Sequence, residues 1–284
     1  MALKPNNQTQ SGERLSSEGE NRQIRLAIVG SSHLAALKLA EQRGLVQAEG
    51  FDICFYGGAG ALFTYMVCQD RFLDMKSAEH ALLVTDGKYE TLPIDDFDAF
   101  LFHGAGYSYS AFLRRFNLAG LPLNKVSAAF LQETARQSLD LPFAARKVAL
   151  QVLEDVDVPV VISPTPLKAQ RSKLFENTVV ADTDMHSLDV ALGKAFEERG
   201  MHYVAQPTET ISDNIYTDDR FTTGSVRLKG ELEEQHGDED FGHMNAEYGA
   251  LVLRDALAKI RGLVEQRWAN SRRRTEARKR RMRK

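Results

Sequence analysis

Cysteine is scarce in this chain, and its two residues stand where no covalent or metal framework is expected. The 284 residues include only Cys54, in an apolar run typical of a strand, and Cys68, in a separate segment. Two isolated cysteines cannot build a disulfide framework or a thiolate zinc site. The sequence therefore has to form its core by apolar packing, for which its 43% hydrophobic content is sufficient.

Long apolar runs are absent as well. No run reaches the roughly 18 residues that a membrane-spanning helix needs. Residues 1–23 are polar and lack the apolar centre of a signal peptide. From these absences we expect a disordered N-terminal segment, 1–23, ahead of a cytoplasmic protein. The nucleotide-binding signatures Gly-Lys-Ser/Thr and Gly-x-Gly-x-x-Gly at the first helix are also missing.

Positive charge is concentrated at the C-terminal end. The net charge is −3, yet residues 271–284 carry nine Lys/Arg and a single Glu. Such a basic tail, 269–284, can attract RNA, anionic lipid or an acidic partner, or it can simply be a solvated extension of the last helix. The tail has no interleaved aromatic residues, which argues against a nucleic-acid-binding surface.

Short apolar runs alternate with helical patterns along the rest of the chain. The predicted strands are 25–30, 51–56, 99–103, 159–163 and 202–205, and a hairpin is predicted over 82–93 with its turn at Asp86-Gly87. This alternation predicts one α/β domain over 24–268: a three-layer α/β/α sandwich with a flavodoxin-like, parallel five-stranded sheet. The polar, acidic segment 206–242 is either a lid over the strand ends or a surface insertion.

Ligands of such sheets bind beyond the carboxyl ends of the strands. Three turns rich in Gly or Ser are predicted there, at 30–33, 57–60 and 104–108. Ser32 lies where the first strand turns into the first helix, so its hydroxyl is a candidate nucleophile beside free helix-start amides. The alternative is that Ser31 or Ser32 caps the helix.

A second set of polar residues precedes the last helix. Asp240 and His243 are spaced so that one loop presents both side chains. Such a histidine can deprotonate a serine while the acid holds its tautomer, which predicts a triad of Ser32, His243 and Asp240. Two alternatives remain: Asp240 caps the last helix, or His236, Asp238, Asp240 and His243 bind a metal, although they match no recognised ligand spacing.

On these residues the chain resembles the SGNH hydrolase superfamily, also called GDSL esterases or lipases, over roughly 25–265. Gly30-Ser31-Ser32 resembles the family's first block, with Ser31 in place of the usual Asp, and Asp240-x-x-His243 matches the last block. The resemblance implies that Gly60, or Gly58 close by, supplies a second oxyanion donor. It also implies ester hydrolysis, without metal or cofactor. His33, Tyr107 and Asn245 complete the predicted oxyanion and substrate-binding set.

One block departs from the family pattern. The family has Gly-x-Asn-Asp after the third strand, where this chain has Gly104-Ala105-Gly106-Tyr107, so Gly106 stands where an oxyanion-donating Asn is expected. Loss of one such donor costs about 10²–10³ in rate. The sequence therefore predicts an esterase or O-acyltransferase acting on a small-molecule or carbohydrate O-acyl ester. The alternative is an inactive module that binds a glycan or another small ligand.

Overall fold

The computed structural model of the chain describes residues 22–139, 144–228 and 234–282. Most of the predicted N-terminal segment, 1–21, therefore lies outside the described residues. The strands, in chain order, are β1 Ile24–Gly30, β2 Phe51–Gly57, β3 Val67–Gln69, β4 Phe72–Asp74, β5 Leu92–Pro93, β6 Ala99–Ser108, β7 Val160–Thr165, β8 His202–Tyr203, β9 Ile211–Ser212 and β10 Tyr216–Thr217. The helices are α1 Leu34–Gln42, α2 Ala61–Thr64, α3 Ala78–Val84, α4 Tyr109–Leu118, α5 Ala128–Ser138, α6 Ala144–Asp155, α7 Met185–Glu197 and α8 Ala246–Met282.

Five strands form the central sheet in the order β2-β1-β6-β7-β8, and every neighbouring pair is parallel. Numbered within this sheet, the strands follow the order 2-1-3-4-5 of flavodoxin-like folds. The predicted parallel five-stranded sheet is thus confirmed. In this topology the carboxyl ends of β1 and β6 lie side by side at the sheet centre, where the order reverses and a ligand crevice opens.

Helices cover both faces of the sheet, because side chains of each strand alternate between two apolar layers. Leu26 and Ile28 of β1 pack in the layer that includes α1 and α8. Ala27 and Val29 pack in the opposite layer, with side chains of α4 to α7. This is the predicted three-layer α/β/α sandwich, and all four residues are fully buried.

The predicted hairpin over 82–93 is wrong. Residues 78–84 form α3, capped by the Ser77 hydroxyl, and only Leu92–Pro93 joins a strand pair, with β4. The Asp86-Gly87 turn does exist, and both residues have positive φ. It follows the end of a helix instead of joining two strands, a position where such residues are equally common.

The predicted turn at 104–108 is wrong as well, because β6 does not stop at His103. The strand is irregular between His103 and Ser108, with Gly104 at a φ of 58°, and then pairs again through Ser108 and Thr165. A glycine in this conformation lets a strand bulge without ending it.

The segment 206–242 is packed onto the domain wherever it is described. Gln206, Thr210 and Thr217 are buried, and Nε2 of Gln206 donates a hydrogen bond to the hydroxyl of each threonine. Phe221 and Val226 belong to the apolar layer of α1 and α8. Ile215 and Tyr216 belong to the opposite layer, so the described parts of this segment pack against both apolar layers of the domain.

The last helix, α8, includes most of the basic tail and continues to Met282. Its apolar contacts end at Val264 and Trp268, and residues 270–282 are exposed. Within the described parts of the chain, no helix combines the length and apolarity that crossing a membrane requires.

Candidate active site

Ser32 lies in the short turn between β1 and α1, at the centre of the carboxyl edge of the sheet. Its Oγ is 2.8 Å from Nε2 of His243, a residue 211 positions away in the chain. Neither serine of the turn caps α1, since the helix start has no side-chain cap and the Ser31 hydroxyl donates to the carbonyl of Gly104 at 2.7 Å. The helix-cap alternative for Ser31 and Ser32 is therefore wrong.

Asp240 holds the other side of the same histidine. Nδ1 of His243 is 2.7 Å from Oδ2 of Asp240. The second carboxylate oxygen, Oδ1, accepts the backbone N–H groups of Gly242 and His243 at 2.8 and 2.9 Å. Partial burial opposes ionisation, but these two N–H groups and the His243 ring together hold the pKa of Asp240 well below its usual range.

The ionised acid sets the tautomer of the histidine. A carboxylate only accepts hydrogen bonds, so the ring nitrogen that faces Asp240 carries a proton. Nε2 of His243 then has a free lone pair, and this lone pair is directed at the Ser32 hydroxyl. The three residues form one hydrogen-bonded chain from hydroxyl to imidazole to carboxylate. This arrangement can remove the serine proton and stabilise the imidazolium that results.

A second histidine shares the carboxylate. Nδ1 of His236 is 2.9 Å from Oδ2 of Asp240, and its ring is stacked on that of His243 with centroids 4.0 Å apart and planes 7° apart. Burial, followed by the neighbouring His243, lowers the pKa of His236 and favours its neutral form. The sequence suggests His236 only as a metal ligand, since four residues of separation in a loop do not predict that it shares the carboxylate of Asp240.

Three of the four residues that the metal alternative predicts as ligands lie close together. Ligand atoms of His236, Asp240 and His243 lie within 4.8 Å of one another, and among the described residues Asp238 does not join this group. Both imidazoles, however, direct Nδ1 at the same carboxylate oxygen. Oδ2 of Asp240 thus occupies the point at which the two nitrogens converge, so a cation bound there would have to displace these hydrogen bonds.

His33 covers the opposite face of the His243 ring. The two rings are 5.0 Å apart with planes inclined by 23°. Burial, together with the charges of His243, His103 and Lys168, lowers the pKa of His33 well below its ordinary value. A Cβ on Gly104 would come within 2.7 Å of His33 Cβ, so the glycine at the β6 bulge leaves the space that this ring occupies. A neutral imidazole with an N–H donor therefore lies directly beside the nucleophile candidate.

The two glycines predicted as oxyanion donors, Gly58 and Gly60, differ in whether the backbone N–H group is already hydrogen-bonded. The N–H of Gly58 donates to the carbonyl of Gly30 at 3.2 Å, which removes Gly58 from the set. Gly60 is exposed just beyond β2, the neighbour of β1, so it stays the predicted second donor. The N–H of Ser32 meets no backbone or side-chain acceptor in the described ranges, as expected at the start of a helix.

The residues predicted around the third turn lie elsewhere than expected. Gly106 lies within β6, in the irregular stretch between His103 and Ser108. The ring of Tyr107 is buried edge-on against Phe196 of α7, 5.4 Å between centroids, because the strand continues and turns this side chain into the core. His103 is also fully buried, 3.2 Å from the Ser163 hydroxyl, and burial lowers its pKa to about 3. Tyr107 is thus a core residue and not part of the substrate-binding set that the sequence predicts.

Asn245 is a helix cap and not a substrate-binding residue. Its Oδ1 accepts the N–H of Tyr248 at 3.1 Å in the first turn of α8. Its Nδ2 donates to the carbonyls of Arg220 and Thr223 at 2.8 and 3.0 Å. Asn245, and not Asp240, therefore caps the last helix and joins it to the preceding loop.

The Asn245→Ala protein is expected to lose about 1–2 kcal/mol of unfolding free energy, since a cap and two further hydrogen bonds are removed. Urea unfolding of this variant and of Asn245→Ser, which retains a capping oxygen, measures the difference. A stable Asn245→Ala protein with a raised KM would instead show that Asn245 binds substrate.

Arg171 fixes the loop that carries Asp240. Its guanidinium donates to the carbonyls of Asp238 and Asp240 at 3.3 and 3.2 Å, and it lies over the ring of Phe241. Sequence reasoning did not identify this residue, because an arginine that binds backbone carbonyls has no partner spacing that a sequence displays.

No protein-family model matches the chain, and no curated protein matches it. Among solved structures, the periplasmic domain of a lipopolysaccharide acetyltransferase from Salmonella ser. Paratyphi A is similar at 10% identity and a TM-score of 0.38, covering 85% of each chain. A carbohydrate acetylesterase family member from Sinorhizobium meliloti has 11% identity and a TM-score of 0.34 and covers 86% of this chain and 100% of its own. An aryl esterase from M. smegmatis has 11% identity and a TM-score of 0.37, with coverages of 84% and 99%. At these values none of the three assigns an activity to this chain.

Proposed function

We propose that this chain is a serine esterase or O-acyltransferase of the SGNH type, which acts on an O-acyl ester through an acyl-enzyme on Ser32. The observation that carries the proposal is the unbroken hydrogen-bonded chain from Ser32 through His243 to Asp240. The two ends of this chain come from residues more than 200 positions apart, and neither serine of the turn is used as a helix cap.

The proposed reaction begins with proton transfer from the Ser32 hydroxyl to Nε2 of His243 as Oγ attacks the ester carbonyl. Asp240 stays ionised and stabilises the imidazolium. His243 then gives the proton to the departing alcohol oxygen, which leaves an acyl group on Ser32. Water or a second hydroxyl group enters by the reverse route and takes the acyl group, which gives hydrolysis or acyl transfer.

The developing oxyanion needs donors in place of the missing asparagine. The N–H of Ser32 and, in the proposal, the N–H of Gly60 supply two. The neutral imidazole of His33 is a candidate for a third, because it is buried beside Ser32 and lies next to the bulge of β6. Neutral imidazole can act as a donor of this kind when its pKa is held low. The substrate class follows the resemblance, an O-acyl ester of a carbohydrate or of another small alcohol.

Labelling with a fluorophosphonate followed by mass mapping of the adduct tests the proposal. We expect a single adduct on Ser32 of the wild-type protein and its loss in His243→Ala. Ser31→Ala is the matched control, since its hydroxyl is one residue away but bound to a carbonyl, and it should be labelled on Ser32. Adding a chelator separates the metal alternative, which requires that labelling or turnover depend on a bound cation.

A folded wild-type protein without an adduct would contradict the proposal. It would favour a binding module that keeps the geometry without turnover, and the glycine at position 106 would then mark the loss of catalysis. Thermal unfolding of each variant, measured in parallel, shows whether a lost adduct reflects lost chemistry or a lost fold.

A further inference from the structure

Lys168 lies in a rigid segment beyond the carboxyl end of β7, on the same sheet edge as Ser32. Its carbonyl accepts the N–H of Thr217 at 2.9 Å, and the following residue, Ala169, donates its N–H to the carbonyl of Phe241 at 2.9 Å. The side chains of Leu167 and Ala169 are fully buried, while that of Lys168 is half-buried. Hydrogen bonds on both sides thus fix the backbone from which this lysine projects.

The ammonium group of Lys168 reaches the loop of the triad. Its Nζ lies 2.5 Å from the position that a Cβ on Gly242 would take, so the absence of a side chain at Gly242 provides its space. Gly242 directly precedes His243. The lysine charge also contributes, after burial and the neighbouring histidines, to the low pKa of His33. The ammonium therefore lies beside Gly242, which precedes His243, and acts electrostatically on His33, which follows Ser32.

The Lys168 ammonium has no partner among the described residues. Within the described ranges, no carboxylate or carbonyl forms an ion pair or hydrogen bond with the Lys168 ammonium. The oxygens of Asp240, on the same loop as Gly242, already accept four N–H groups, from Gly242, His243 and the rings of His243 and His236. The N–H groups of this ammonium are therefore available to hydrogen-bond water or a ligand.

We propose that Lys168 binds an anionic group, carboxylate or phosphate, on the alcohol portion of the ester. This inference rests on the proposed function of Ser32 and deepens it by naming a substrate class. The alcohol side is favoured because His243 must protonate the leaving oxygen, so the alcohol lies beside His243, where Lys168 reaches the adjacent Gly242. Because the chain has a net charge of −3, it repels an anionic substrate overall. The positive charge of Lys168 offsets that repulsion at the site.

Three aryl acetates with one scaffold test the proposal: phenyl acetates with a carboxylate, a phosphate ester or an uncharged carboxamide in the para position. The measured quantity is the ratio of kcat/KM for each anionic ester to that for the carboxamide. In Lys168→Met we expect this ratio to fall about tenfold relative to wild type, as for loss of one charge-assisted hydrogen bond. Intrinsic ester reactivity cancels, since both proteins receive the same three esters.

Two further variants separate position from charge. Lys173→Met makes the same charge change at a highly exposed lysine paired with Glu176, and its ratio should equal that of wild type. Gly242→Ala keeps every charge but places a methyl group where the ammonium lies, so it should lower the ratio as Lys168→Met does. The anionic preference of wild type should also weaken as salt is raised.

The outcomes distinguish the two proposals. Equal ratios in wild type and Lys168→Met, with turnover of all three esters, overturn the role of Lys168 and leave the esterase proposal standing. No turnover of any ester together with no fluorophosphonate adduct overturns both. A larger fall for the phosphate ester supports a phosphorylated alcohol, and a larger fall for the carboxylate supports an acidic one; either result sustains the inference.

Discussion

The Asp240→Asn protein is expected to lose about 10⁴-fold in kcat/KM while its fold persists. Oδ1 of Asp240 accepts two backbone N–H groups, so an asparagine must keep its oxygen at that position. Its amide nitrogen, a hydrogen-bond donor, then faces Nδ1 of His243. A donor at this position is incompatible with the proton that Nδ1 carries in the productive tautomer. The proton of the imidazole moves to Nε2, and the ring can no longer take a proton from Ser32.

Steady-state kinetics with an uncharged ester and the rate of fluorophosphonate labelling both measure this effect. Asp238→Asn is the matched control, because it removes the same charge from the same loop and Asp238 binds Arg171 only through its carbonyl. It should retain wild-type activity. A loss of less than about tenfold in Asp240→Asn would contradict the assigned tautomer and with it the role of Asp240 as the acid of a triad.

His236 adds to the loss of activity expected for Asp240→Asn. Its Nδ1 shares Oδ2 of Asp240, so the asparagine amide would face two imidazoles and could satisfy both only as a donor. The stacked ring of His236 also limits rotation of His243 away from the amide. The neighbouring histidine therefore leaves His243 few ways to recover the productive tautomer.

The sequence predicted the sheet and the meeting of Ser32 with His243, and there is a physical reason for both. Parallel strands with right-handed crossovers place every strand end at one edge, so residues after β1 and before the last helix have few places to meet. The turn chemistry was less informative. Asp86-Gly87 ends a helix, and Gly104 bulges a strand, because positive φ at a glycine serves hairpins, helix ends and bulges alike.

The roles that were missed or misassigned depend on contacts that no spacing displays. Asn245 resembled a site residue because it follows the Asp-x-x-His block, yet its side chain caps α8. The sequence places Tyr107 in the pocket because it predicts the end of β6 at residue 103, five residues before the strand ends. The role proposed for Lys168 is not predicted by the sequence: the residue follows β7 at the same sheet edge as Ser32, but a single lysine carries no sequence signal.

The site also depends on the contact between α1 and α8, at which Gly249 is the critical residue. A Cβ on Gly249 would lie 2.1 Å from the carbonyl oxygen of Ala36, so the two helices touch backbone to backbone. Ser32 lies two residues before α1, and His243 lies three residues before α8. Any separation of the two helices therefore lengthens the 2.8 Å contact between Ser32 and His243.

We expect Gly249→Ala to destabilise the fold by about 3 kcal/mol, as for overpacking against a rigid backbone, and to lower kcat/KM by about 10²-fold through displacement of His243. Gly262→Ala on the same helix is the control. Nothing lies within 4 Å of the Cβ it would add, so it should stabilise α8 by about 0.5–1 kcal/mol, the helix propensity difference. The same chemical change thus has opposite signs thirteen residues apart, which urea unfolding measures directly. If the two alanines shift stability in the same direction, then the helices do not pack as closely as the geometry at Ala36 requires.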